Sequence, residues 1–171
     1  VRAAIVTWQG GGATQPAIGL GRLLAERGHE VRVVAPAAYA ERIATAGCAH
    51  RPYPPELEFD VARGRAAEDQ AGYIEEVLLG LGPPQLLAEA LAEQPADVVV
   101  VDYLMRSTLC RAEALGVPRV VLFHMLHRFH GAATGAMRNG DGAGSTGAST
   151  RCASASTWSR CRSAPIPAAS R

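Results

Sequence analysis

The chain opens on an apolar run, Ala3 to Trp8, which is broken by Gly10, Gly11 and Gly12. Such a run bounded by glycines predicts a strand over residues 4–8. Ile18, Leu20, Leu23 and Leu24 then recur at three-to-four spacing, with Arg22, Glu26 and Arg27 on the opposite face. That period predicts an amphipathic helix. Thr14 or Gln15 begins it, Pro16 sits near its first turn where a missing N–H costs nothing, and Gly28 ends it. A second apolar run predicts a strand over residues 31–35.

The same punctuation continues. Residues 39–46 read as a helix stopped by Gly47, and 49–53 as a short strand closed by Pro54 and Pro55. Residues 56–65 have weak periodicity and read as a surface loop. From Glu68 the helical period returns through Tyr73, Val77 and Leu78; Gly82, Pro83 and Pro84 interrupt it, and Leu86, Leu87 and Leu91 resume it. Residues 97–102 are four valines between two aspartates, the pattern of a central strand buried on both faces of a parallel sheet. A helix over 107–115, capped by Gly116, and a strand over 118–123 complete the alternation. Repeated strand–helix–strand units wind with one hand, so residues 1–137 predict an α/β fold: a doubly wound, Rossmann-like parallel sheet with helices on both faces.

Composition refines this picture at the C-terminus. Residues 138–171 hold five arginines against Asp141 alone among Gly, Ser, Ala and Thr, with no period and too few apolar residues to order a core. Two readings stay open for this segment: a natural disordered tail, and an off-frame translation product. The second is suggested by the complete lack of lysine, since all 17 Lys or Arg positions are arginine, as GC-rich coding would give. The first 137 residues are slightly acidic, which argues against nucleic acid as a partner. No apolar run reaches the ~20 residues of a membrane span. The N-terminus enters a strand without a basic leader, so a cytoplasmic location is expected. Cys48, Cys110, Cys152 and Cys161 show no paired spacing, so a metal site is not expected and the thiols are read as reduced.

The chemistry-bearing feature is the glycine loop. Between a strand and a helix, Gly10 to Gly12 let backbone approach a ligand and aim helix N-terminal amides at it, although a plain chain reversal needs no more. The spacing is not G-x-G-x-x-G, and strand two ends in Ala35 and Pro36 where a dinucleotide site wants an acid, so an oxidoreductase reading is weak. Asp102 ends the valine strand, where ligands gather in open α/β sheets, and its alternative is a strand-end capping acid. His124 ends the next strand as a base candidate or a satisfied strand-end histidine. His127 and His130 are taken as loop or cleft residues, and Trp8 and Tyr103 as aromatics able to pack on a flat ligand.

The order TWQGGGATQPAIGLGRLLAERGHEVRVVAP, AGCAHRPYP and PADVVVVDYLMRSTLCRAEALGVPRVVLFHMLHRFH resembles the N-terminal half of two-domain, GT-B-fold glycosyltransferases of the UDP-glycosyltransferase type, especially bacterial enzymes that decorate natural products. The resemblance covers roughly residues 3–130. It implies an acceptor-binding domain that works with a nucleotide sugar held by a C-terminal domain, in metal-free inverting transfer to a hydroxyl of a small lipophilic acceptor. It implies Asp102 as the member of a His–Asp pair and puts Gly10, Gly11, Gly12, Ala13, Thr14, Gln15 and Tyr103 at the acceptor cleft. The family's usual histidine after the glycines maps to Ala13, which cannot take a proton and leaves His124 as the remaining local base. A donor domain is not recognisable in these residues, so the chain is expected to bind no cofactor itself, to act as an inactive fragment with one face left for the missing domain, or alternatively to serve as a small-molecule binding module.

Overall fold

The computed structural model describes residues 1–10, 12–58 and 67–124. Strands and helices alternate in the order β1 (Arg2–Val6), α1 (Thr14–Ala25), β2 (Glu30–Ala35), α2 (Ala40–Thr45), β3 (Ala49–Pro52), α3 (Ala67–Leu79), α4 (Gly82–Glu93), β4 (Val98–Asp102), α5 (Arg106–Ala114) and β5 (Arg119–Leu122). The strands form one parallel sheet in the order β3-β2-β1-β4-β5. Ile5 lies in register with Val33 on one side and Val100 on the other.

Helices cover both faces, as the sequence predicts. On one face Ala17 and Ile18 of α1 and Ile43 of α2 pack on Ile5, Val31, Val33 and Val100. On the other, Val77, Leu86, Leu87, Ala90 and Ala112 pack on Ala4, Val6, Val34, Val99 and Val101. The alternation along each strand divides the two cores, because successive side chains point to opposite faces. Each fully buried aliphatic side chain, such as Ile5, Ile43 or Leu87, contributes about 1.5–3 kcal/mol. Gly28 ends α1 at φ +79°, a left-handed position that a Cβ would strain, and so turns the chain directly into β2.

The differences from the sequence reading have local causes. β1 stops at Val6: the Thr7 N–H still bonds Val34 O at 3.1 Å, but the Gly10 N–H folds back on Trp8 O at 2.9 Å and the ladder ends. Pro83 and Pro84 do not break a helix; they occupy the first turn of α4, and the break falls before Gly82, whose N–H is taken by Glu76 Oε1 at 3.0 Å. α2 is preceded by a 3-10 turn, Ala37–Tyr39, and a second 3-10 turn, Pro55–Leu57, starts the expected loop. β5 is one of the two sheet edges among the described residues, with Val120 and Val121 about half exposed. Cys48 is a buried free thiol as expected, whereas Cys110 is disulfide-bonded, which corrects the reading of four reduced thiols. Spacing along the chain does not report approach through space. The expectations for Gly11, for residues 59–66, and for His127, His130 and the segment 138–171 lie outside the described residues.

Candidate functional site

The sheet order makes β1 and β4 neighbours whose following helices go to opposite faces, α1 to one and α5 to the other. This is the switch point of an open α/β sheet, where a crevice forms at the carboxyl ends of the strands. The glycine loop follows β1 and Asp102 ends β4, so both stand at the place where such sheets put a crevice.

Asp102 is fully buried. Its Oδ1 accepts the Leu104 N–H at 2.9 Å and its carbonyl accepts the Met105 N–H at 3.0 Å, which turns the chain from β4 towards α5. Its Oδ2 lies 3.0 Å from His124 Nε2, whose side chain is 11% exposed. The distance is that of an ion pair, yet the angles miss those of a hydrogen bond and leave both atoms without a hydrogen-bond partner. Register explains the meeting: Asp102 pairs with Leu122 across β4 and β5, and His124, two positions on, falls on the same side. Tyr103 closes the group, its ring centroid 4.6 Å from Phe123 and 5.2 Å, edge-on, from His124.

The glycine loop is locked from beneath. A Cβ on Gly10 would stand 2.2–2.4 Å from the Trp8 indole, so that ring lies directly against the glycine. Thr14 Oγ1 donates to Trp8 O at 2.8 Å, and the Ala13 N–H bonds Gly10 O at 2.7 Å. Gly12 is exposed with open space where a Cβ would go, and Gln15 is exposed beside it. Ala13 has no exposed surface and shares the core cluster of Trp8, Tyr53 and Val101; Thr14 is buried as well. Of the sequence-predicted residues, then, Asp102, His124 and Tyr103 meet, Gly12 and Gln15 face outward, and Ala13 and Thr14 pack inward.

Tyr53 was not singled out by the sequence. It is buried after β3, and its hydroxyl donates to Thr7 O at 2.9 Å. Burial, then Tyr73 and Asp102, push that phenol above the ordinary tyrosine range, so it stays a neutral donor beneath the crevice. Tyr73 is pushed up to about 12, chiefly by burial. The only signal available was an aromatic followed by two prolines at a strand end. Among the described residues no three His, Cys, Asp or Glu side chains cluster to hold a metal, and no helix is long and apolar enough to cross a membrane.

The glycosyl transferase 4-like domain family matches residues 11–161. The fold resembles CalG4, the calicheamicin glycosyltransferase, with a TM-score of 0.59 and 25% identity over 83% of this chain and 38% of that one. It also resembles the spinosyn forosaminyltransferase SpnP, at TM-score 0.63 and 17% identity over 93% and 40% of the two chains. The glycosyltransferase VinC, solved in complex with DTDP, gives a TM-score of 0.57 and 19% identity over 84% and 40%. The chain thus spans about two fifths of the length of these solved structures. No curated protein matches it significantly.

Proposed function

The chain belongs to the glycosyl transferase 4-like domain family, and from that premise we propose that it forms the acceptor side of a sugar-transfer cleft. The reaction is inverting transfer of a sugar from a nucleotide sugar to a hydroxyl of a small lipophilic acceptor. The observation that carries the reading is the Asp102–His124 pair at the β1/β4 switch point, a buried carboxylate 3.0 Å from an imidazole nitrogen beside a glycine loop.

In this reading the acceptor lies against Tyr103 and the outward side of the glycine loop, at Gly10, Gly12 and Gln15. Its hydroxyl oxygen attacks the anomeric carbon as the bond from that carbon to the nucleoside diphosphate breaks. The hydroxyl proton must leave as the new bond forms, and a base within hydrogen-bond reach takes it. His124, held 3.0 Å from the Asp102 carboxylate, is that base. The donor nucleotide is held by a second domain, a role supported by the chain's span of about two fifths of its structural neighbours.

Two measurements test this reading. The chain alone, offered labelled dTDP- and UDP-sugars with a panel of apolar alcohols and phenols, is expected to bind acceptors saturably and to transfer no sugar; robust turnover by the chain alone refutes the division of labour. Fused to the donor-side half of a structural neighbour, it is expected to gain transfer that His124→Gln lowers by about 10²–10⁴-fold. An unchanged rate in that variant removes His124 from the chemistry.

A further inference from the structure

A cavity of about 330 Å³ lies at the end of the sheet opposite Asp102, bounded by Arg2, His29, Glu30 and Arg32 and by the Gln94–Ala96 segment that leads into β4. Its size is at the lower end of ligand pockets and suits a small molecule. Arg32 is its distinctive wall. The guanidinium is part-buried; its Nη2 donates to Gln94 O at 2.6 Å, while Nε is buried without a partner. Among the described residues it makes no salt bridge. The cations beside it are already spent: Arg2 holds Asp97 at 2.8 Å, and Arg51 takes Glu93 at 3.0 Å.

A part-buried charge without a direct ion pair is costly, and an anion brought into contact with it relieves the cost. Burial holds the Arg32 guanidinium below its ordinary value, while Glu93 opposes that shift and Arg51 adds to it. We propose that this cavity binds a small oxyanion, a phosphate or a carboxylate, through the Arg32 guanidinium that lines it, with the His29 ring as a second donor. Glu30 lines the same space, which favours an oxyanion that carries a hydroxyl of its own to donate to that carboxylate. Bound there, the anion ties the N-terminal ends of β1 and β2 to the entry of β4, independently of the sugar-transfer reading.

The full chain is titrated calorimetrically with inorganic phosphate and, separately, with malate, against sodium chloride at matched ionic strength. Saturable binding of either is expected, and the stronger of the two names the source of the oxyanion. Arg32→Gln is expected to weaken it by about ten- to hundredfold, while Arg22→Gln, on the exposed face of α1, leaves it unchanged. If Arg32 only caps α4, the variant lowers the melting temperature and neither anion binds, which overturns the proposal. Equal affinity in the variant does so too. Should Arg32→Gln fail to fold, the His29 ring resonances of the parent chain decide: they are expected to shift with phosphate or malate, and their indifference to both refutes the site.

Discussion

Ala13→His tests what the first turn of α1 can accommodate. By resemblance this position carries a base facing the cleft, and a surface histidine there would change stability by less than about 0.5 kcal/mol. The structure puts the Ala13 side chain at zero exposure among Trp8, Tyr53, Val6 and Val101, with the Trp8 ring pressed on Gly10. An imidazole there must displace that indole or distort the loop, an overpacking cost of about 1–3 kcal/mol. It also buries polar ring nitrogens with no partner in an apolar cluster, at about 1–3 kcal/mol more. A loss of about 2–6 kcal/mol is therefore expected, a large share of the ~5–15 kcal/mol that folds a typical domain. Urea unfolding at pH 7, followed by Trp fluorescence and by far-UV circular dichroism, measures it, with Gln15→His as an exposed control expected to stay within about 0.5 kcal/mol of the parent. An Ala13→His midpoint equal to the parent's would refute the packing argument and return the position to the cleft.

Two further outcomes follow from the same geometry. Gly10→Ala drives a methyl into the Trp8 ring and should cost about 1–3 kcal/mol, whereas Gly12→Ala enters open space at an ordinary φ and should be neutral or stabilise by up to about 1 kcal/mol; equal denaturation midpoints for the two variants would contradict the close approach of Trp8 to Gly10. Arg2 donates two hydrogen bonds to Asp97 and holds its carboxyl at about 2 rather than 3.8, so this contribution is fully present above the ordinary value and is lost as pH falls through the lower one; acid titration of Asp97→Asn should show a shallower loss of stability across that window than the parent, and parallel curves would rule the contribution out. Both groups are exposed, so added salt should shrink the difference.

What the residues disclosed and what they withheld divide along a physical line. Period and punctuation are local, and they were enough for the alternation of strands and helices, for the two-faced burial of β4 and for the Gly28 turn. Contacts through space were not legible. His124 and Asp102 could each be named as strand-end candidates, but their 3.0 Å approach depends on the register of β5 with β4. Ala13 has a side chain small enough for a core or a cleft, so its identity could not say which way it points; its burial with Trp8 and Tyr53 decides that. Arg32 stands among the valines of β2, and only its hydrogen bond to the Gln94 carbonyl shows what this part-buried cation meets.

The two oxygens of Asp102 separate structure from chemistry within one residue. Oδ1 is committed to the Leu104 N–H and fixes the turn into α5, an arrangement that any capping acid would satisfy. Oδ2 has no such reason to be where it is: it is buried, unmatched by a backbone donor, and faces an imidazole whose alignment falls short of a hydrogen bond. A buried carboxylate left in that condition destabilises the fold unless a further group completes the site, and proteins break local rules of this kind chiefly where function requires it. A capping role therefore accounts for half of the residue. The function proposed above would account for the other half, with an acceptor hydroxyl seated against His124 beside Oδ2 at the switch point of the sheet.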